Sequence, residues 1–258
     1  MTTASKAPFE WQRRTRASAV HLLSCLGIAA LVAMLVLLLW YPWPYRIISG
    51  GDNLLLLVMG VDIVMGPLIT LAIFDIRKPM RELTRDLAII VVLQLAALGY
   101  GLHTVYLARP VVLALEGERF RLTTANDVVA EELPQAEDSL RALPLDGPRL
   151  VDTAEPTAEQ RGDAVIQALS GTDIGSRPLF WRPWGDEGRQ RALKVAKPLT
   201  PLIARVKERA AMDEAIARTG RPIEQLLAVP MIARSNDWSV LIDKNTGDPV
   251  GFAPIDGF

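Results

Sequence analysis

Three stretches, Ala17 to Tyr45, Leu54 to Phe74 and Leu87 to Ala108, are free of charged residues apart from Asp62, and each is long enough to cross a bilayer. A transmembrane helix needs about 20 apolar residues, and no stretch of that length recurs beyond Ala108. The chain therefore reads as a three-helix membrane anchor over 17–108, with spans near 17–41, 54–74 and 87–108. A tail over 109–258 follows, and its roughly 150 residues are enough to bury a core of their own.

Basic residues in the short flanks set an orientation. Lys6, Arg13, Arg14 and Arg16 precede the first span against one acid, Glu10, while Arg77, Lys78, Arg81 and Arg85 separate the second span from the third. The connector between the first two spans holds only Arg46 as a basic residue. By the positive-inside rule the N-terminus, 1–16, and the second loop are cytoplasmic. An odd number of spans then puts the tail outside. Trp40, Tyr41, Trp43 and Tyr45 are expected to form an interfacial aromatic cluster at the outer end of the first span, where Pro42 and Pro44 end the helix. A cleaved signal peptide behind Arg13, Arg14 and Arg16 is the alternative. It fits less well, because the apolar run is too long and its outer flank is aromatic and proline-rich.

The single cysteine, Cys25, lies in the first span, so the tail must hold together without a disulfide. Acidic residues slightly outnumber basic ones from Arg109 onward, which argues against nucleic acid and against a polybasic lipid-binding surface. Val111 to Leu115 and Glu118 to Thr123, around Glu116-Gly117, predict a β-hairpin directly at the membrane exit. Asn126 is expected to cap a short helix through Leu133, ahead of a proline-punctuated, loop-rich section. Thr157 with Gln160 fits a capping box, followed by an apolar stripe at Val165 and Leu169 that Gly171 stops. Asp173 to Arg189 reads as a loop.

Thr200 and Pro201 open the clearest soluble helix, with Leu202, Val206, Ala210, Met212 and Ile216 on its apolar face and Thr219-Gly220 at its end. A shorter helix is expected from Ile223 to Ala228. Strands at Val229 to Ala233, Trp238 to Ile242 and Pro249 to Ile255, with a turn at Lys244 to Gly247, give a terminal antiparallel meander. The expected fold class is a membrane protein of three transmembrane α-helices followed by a small periplasmic α+β domain.

Both histidines, His21 and His103, fall within the spans, which removes Ser-His-Asp, Cys-His and His-based zinc chemistry from the tail. Asp243 to Asp248 lacks the ligand spacing of a calcium loop and reads as a hairpin turn. No catalytic residue, metal or cofactor is expected. An enzyme working through paired carboxylates is the rival class, but nothing in the sequence selects any two acids.

Asp62 is the most unusual residue, because an ionisable group in a span is costly and should face protein or water. Counted from the span centres, it lies at the depth of Gly99 and about 5 Å from that of His103. Gln94 is the second choice of partner. Gly60, Gly66, Gly99 and Gly101 would let the second and third helices approach closely, and Pro67 removes a backbone hydrogen bond beside Asp62. Two readings stand: a proton or client-binding site, or a buried polar staple that fixes helix packing.

Gly60-Val61-Asp62-Ile63-Val64-Met65-Gly66-Pro67-Leu68, Asp86-Leu87-Ala88, Gln94-Leu95-Ala96-Ala97-Leu98-Gly99-Tyr100-Gly101 and Ala108-Arg109-Pro110 resemble the TfpX/TfpZ-type accessory proteins of bacterial type IV pilins. The resemblance extends through Ala196-Lys197-Pro198-Leu199 and from Val229-Pro230-Met231 to Asp243-Lys244-Asn245-Thr246-Gly247. It implies an inner-membrane, pilin-specific chaperone that helps a major type IV pilin reach stable levels and assemble. Its partners would be that pilin, other pilus-assembly proteins and membrane lipid. No catalytic residue comes with it.

Such a helper would meet its client at two depths, through the bundle around Gly60 and Gly66 and through the tail. Phe180, Trp181, Arg182 and Trp184 are the candidates for a periplasmic recognition surface, since Trp and Arg are enriched at binding hot spots. The other reading of these aromatics is that they pack their loop onto the core. A channel or proton-coupled unit centred on Asp62 is a further rival, and three spans are few for one.

Overall fold

The computed structural model describes residues 11–75, 77–203, 209–234 and 238–258. The expectations that fall on Lys6, Glu10 and Val206 lie outside them. The chain clusters into two units, and it crosses between them at Val36/Leu37, Gly51/Asp52 and Val105/Tyr106.

The first unit holds three long helices. These are α1 (Trp11–Leu35), α3 (Gly51–Ile73) and α4 (Met80–Leu107), and a π-helical turn, Val36–Trp40, extends α1. Each is long and apolar enough to cross a membrane. Their outward faces carry large apolar side chains, Leu31, Leu56 and Leu93 among them, which is stable only against a medium as apolar as themselves. Pro67 sits inside α3 without ending it, as prolines in apolar helices do when neighbouring groups take up the freed backbone carbonyls.

The second unit is built on an eight-stranded mixed sheet of order β4-β3-β1-β2-β6-β7-β8, with β5 pairing β6 off that path. β1 (Pro110–Glu116) and β2 (Arg119–Thr124) form the expected hairpin, with Gly117 at φ +57° in its turn. β3 (Arg149–Thr153) lies parallel to β1 on its other side, and β4 (Trp181–Pro183) closes that edge. β6 (Leu226–Ile232) runs parallel to β2. With β7 (Trp238–Asp243) and β8 (Pro249–Ala253) it forms the expected antiparallel meander. β5 is the two-residue strand Lys197–Pro198.

The two-residue period of the strands distributes the core. Leu113 and Leu115 of β1, Met231 of β6 and Val240 and Ile242 of β7 share one cluster with Phe120. Ala114 and Val112 point the other way, into a cluster with Val151, Leu140 and Trp181. At the far end of that second face, Leu226, Ala228 and Leu241 pack under α7 (Leu199–Ile203) and α8 (Arg209–Thr219) through Leu202 and Met212. β1 reads as a continuous apolar run because strands flank it on both sides and both of its faces are covered.

The connector between α1 and α3 belongs to this second unit. Its short helix α2 (Tyr45–Ile48) puts Ile48, 1% exposed, into the same cluster as Leu115 and Phe120. Tyr45 stacks edge-on against Phe252 at 5.1 Å. Tyr41 is 1% exposed, and Gly51 is needed beside it because a Cβ there would strike the ring. Trp40 meets Tyr106 edge-on at 5.1 Å, and the Arg218 guanidinium lies 3.9 Å over the Trp43 ring. The aromatic group expected at a lipid interface is thus tied to protein side chains. Each such apolar burial is worth about 1.5 to 3 kcal/mol, and Pro42 and Pro44 aim the chain into that packing by stopping the helix.

Several local expectations are corrected. β3 and α6 (Asp186–Val195) fall where loops were expected, although Asp186 and Glu187 in the first turn and Lys194 in the last suit the helix dipole. The segment after Asn126 forms only a 3-10 turn, Ala130–Gln135, holding Pro134. Ile223–Gln225 is likewise a single turn, because ladder pairing claims the chain from Leu226. Ahead of α5 (Arg161–Leu169) the Gln160 side chain reaches back to the Thr157 N–H at 3.1 Å, one of the two bonds of a capping box, but the helix starts later than expected, with Gln160 and not Thr157 at its N-cap position. Its stripe faces outward nevertheless: Val165 and Leu169 are 59% and 85% exposed, and Ala164 is the residue turned inward.

Trp181→Ala should destabilise the second unit by about 3 to 5 kcal/mol, as large core truncations do. Leu169→Ser should stay within about 0.5 kcal/mol. Urea unfolding of the full chain in detergent, followed by loss of β-sheet circular dichroism, separates the two.

Candidate functional site

Polar side chains in the first unit converge on one seam. On α1, Ser18, His21 and Cys25 are spaced by three and four residues, so they share a helix face; on α3, Asp62, Gly66 and Thr70 are spaced by fours. Ser18 donates to the Pro67 carbonyl at 2.9 Å. His21 Nδ1 and Thr70 Oγ1 share a hydrogen bond of 2.6 Å. From α4, Gln94 Nε2 donates to the Asp62 carbonyl at 3.4 Å and to Cys25 Sγ at 3.7 Å. Hydrogen bonds between apolar helices contribute about 0.6 to 2 kcal/mol each, and together they fix the register of α1, α3 and α4. At the end of α3, Arg14 donates to Ala72 O at 3.1 Å and pairs with Asp75 at 3.2 Å. Arg77 hydrogen bonds hold the Asp75 carboxyl well below the usual carboxylate range.

Gly66 gives Gln94 its place, since a Cβ at 66 would overlap the Gln94 amide. Gly101 does the same for Val58. Gly60 and Gly99 have nothing within 4 Å of where a Cβ would stand, so neither is a point of close helix approach. His103 is exposed on the outside of α4. The histidine near Asp62 is instead His21, with which it lines a cavity of ≈ 230 Å³ together with Ser24, Cys25 and Gln94. Depth counting could not find His21, because it was confined to α3 and α4; the three-four spacing of Ser18, His21 and Cys25 was the available signal. The Asp62 carboxylate itself has no hydrogen-bond or ion-pair partner among the described residues.

The tail candidates separate. Phe180 and Trp181 are 2% and 1% exposed, so they cannot form a recognition surface. Trp181 Nε1 donates to the Gly175 carbonyl at 3.0 Å, and the Arg177 guanidinium lies 5.0 Å over the Phe180 ring. Trp184 is half-buried against Phe120 and donates to Asp248 at 2.9 Å. Partial burial raises the Asp248 pKa, but the bonds from Trp184 and from Arg189, at 2.8 Å, hold it below its ordinary value. Only Arg182 is exposed, and it folds back onto the Leu179 and Trp181 carbonyls.

Carboxylates that the second unit buries face arginines. Glu116 accepts from Arg119 and Arg121 at 3.1 and 2.9 Å. Glu132 pairs with Arg177 at 2.7 Å, Asp152 with Arg191 at 2.6 Å and Asp243 with Arg221 at 2.8 Å. This arrangement fastens loops to strands. Among the described residues no group of His, Cys, Asp and Glu is placed to hold a metal ion.

Three helices of bilayer-crossing length, joined by a polar seam and interleaved with a mixed-sheet domain, define a protein of multi-pass membrane composition. The family model of the fimbrial assembly protein FimB matches residues 9–50, which take in α1, its seam residues and most of the aromatic connector. The chain is 34% identical over 232 residues to the serogroup I fimbrial assembly protein of Dichelobacter nodosus, covering 88% of this chain and 90% of that one. It is 33% identical over 232 residues to the serogroup E1 protein, with the same coverage. With the protein of serogroups C1 and C2 from that organism it shares 40% over 119 residues, 46% of this chain and 91% of that one. No solved structure matches it. The chain belongs to the family of these fimbrial assembly proteins.

If the seam works by packing, Asp62→Asn should keep normal abundance and pilus number, because the seam holds Asp62 through its backbone carbonyl and the carboxylate has no partner to lose among the described residues. Asp62→Lys should lower the protein's own abundance on an immunoblot. Loss of pili in Asp62→Asn at normal abundance would assign a protonation role instead.

Proposed function

We propose that this chain is an inner-membrane accessory protein of type IV pilus assembly, a pilin-specific chaperone for a cognate major pilin. The observation that carries the reading is the match to fimbrial assembly proteins over 88% of the chain, which spans both units rather than one shared module. The expected TfpX/TfpZ resemblance points to the same process. A pilin subunit waiting in the membrane offers an apolar helix and a globular head, and this chain offers an apolar bundle with a polar seam and a folded domain. Binding at both depths would keep the subunit from aggregation and degradation until it is assembled. With Arg13, Arg14, Arg16, Arg77, Lys78, Arg81 and Arg85 placed in the cytoplasm, the second unit lies in the periplasm beside the pilin head.

On this reading the domain boundaries are a cytoplasmic 1–16, an anchor over 17–108 and a periplasmic 109–258, with the 37–51 connector joining the periplasmic part. The residues assigned to client contact are those of the seam, Asp62, Gly66, Pro67 and Gln94.

A periplasm-active reporter fused after Phe258 should be active, and one inserted near Lys78 silent; the reverse pattern would overturn the orientation. Deleting the gene should reduce surface pili and twitching motility while the pilin gene is still transcribed, with restoration only by a helper matched to that pilin. Pilus counts by electron microscopy and pilin transcript levels check this. Normal piliation in a clean deletion that has no second copy would overturn the function.

A further inference from the structure

The cavity beside Asp62 does not end there. A second hollow of ≈ 830 Å³ shares His21 and Val91 with it and runs toward Arg13 and Arg16. Both draw their walls from α1 and α4, while α3 supplies only Met59 and Asp62 to one and Thr70 to the other, where Phe74 just after it also contributes. The two hollows therefore adjoin as one groove between α1 and α4, with α3 as its floor. From Ala17 to Ile28, within the first span, it extends about 17 Å at 1.5 Å per residue, a little over half of the hydrocarbon thickness of about 30 Å.

The groove walls are apolar at Ile28, Leu95 and Leu98. His21 presents polar atoms to it where the two hollows meet, and Asp62 and Gln94 do so toward the Ile28 end; the Asp62 carboxylate is without a partner among the described residues. Acyl chains filling such a groove would leave a carboxyl group against hydrocarbon, which is expensive. Water alone would have to occupy a channel with apolar walls. A second copy docked about a two-fold axis would bring Asp62 to Asp62, like against like. A helix that is apolar along its length and polar at one point satisfies both requirements of the groove.

We infer that the α1–α4 groove receives the membrane helix of the fimbrial subunit, which brings one hydrogen-bonding side chain to the depth of Asp62. This rests on the function proposed above and assigns the client contact to the α1–α4 side of the bundle. Asp62 and Gln94 also border a hollow on the α3–α4 side. There they are the polar groups at mid-depth without His21, Ser24 or Cys25, and the remaining polar lining is the Lys78–Asp86 ion pair at one end.

The test uses a photo-crosslinking residue placed in the full chain at Leu95, on the groove wall, or at Leu93, which faces the α3–α4 hollow. A third probe replaces Leu169, exposed on α5. Cells producing the cognate pilin are irradiated and the adducts identified by mass spectrometry. Leu95 should capture the pilin about fivefold more than Leu93. Asp62→Leu should lower the Leu95 adduct about fivefold at equal protein abundance, while Asp62→Asn stays within about twofold, as expected for loss or retention of a hot-spot interaction.

Equal or greater capture from Leu93 overturns the groove assignment, as does lipid or a second copy of this chain in place of pilin at Leu95. Pilin captured at Leu169 but not at Leu95 overturns the groove and leaves the chaperone function standing. No pilin adduct at any position, with normal piliation in the deletion, overturns both.

Discussion

A polar atom removed from water must find its partner within the protein, and that demand organises both units of this chain. Among the three long helices it selects one packing: Ser18 reaches the carbonyl beside the Pro67 break, His21 reaches Thr70, and Gln94 spans from α4 to both α1 and α3. Apolar contacts alone would not choose between rotations of these helices, because a lipid-exposed surface and a helix-exposed surface are equally apolar. In the second unit the same demand brings an arginine to each of Glu116, Glu132, Asp152 and Asp243. These pairs join the β1–β2 turn to the segment at Gly175 and hold β3 to α6.

The sequence made the helices of the first unit legible, because length and absence of charge are sufficient signals for such elements. The meander of β6, β7 and β8 was legible for a related reason: alternation and a Gly247 turn are local. β3 was not. Arg149–Thr153 mixes charged and apolar residues, and it becomes a strand only because β1, far earlier in the chain, offers it an edge. The start of β6 was hidden likewise, since Ile223 to Ala228 has helix-compatible residues and only the pairing with β7 decides otherwise.

At the site, chemistry was legible and geometry was not. Asp62 stands out in any reading because it is charged within an apolar helix. Gly66 and Gln94 were expected near it, and the fold brings Gln94 against both Gly66 and the Asp62 backbone. Gly60, Gly99 and His103 have the right composition but the wrong azimuth, and a depth count carries no azimuth. His21 reaches the same cavity from α1, which a count along α3 and α4 does not include. The aromatics at 180 and 181 illustrate the opposite limit: a Trp in a glycine- and proline-rich segment suits a surface hot spot and a loop anchor alike, and the Gly175 carbonyl beneath Trp181 decides for the anchor.

The placing of Ile48 and Tyr45 among residues of the far sheet makes the second unit a discontinuous domain, with α3 and α4 coming between its two pieces. Synthesis delivers the connector long before any strand, so Tyr45 waits for Phe252 of β8 at the end of the meander, and nothing shorter than the nearly whole chain contains the finished core. A fragment beginning at Arg109 would fold around a gap where Tyr41, Tyr45 and Ile48 belong. The sheet domain is therefore not a transferable module.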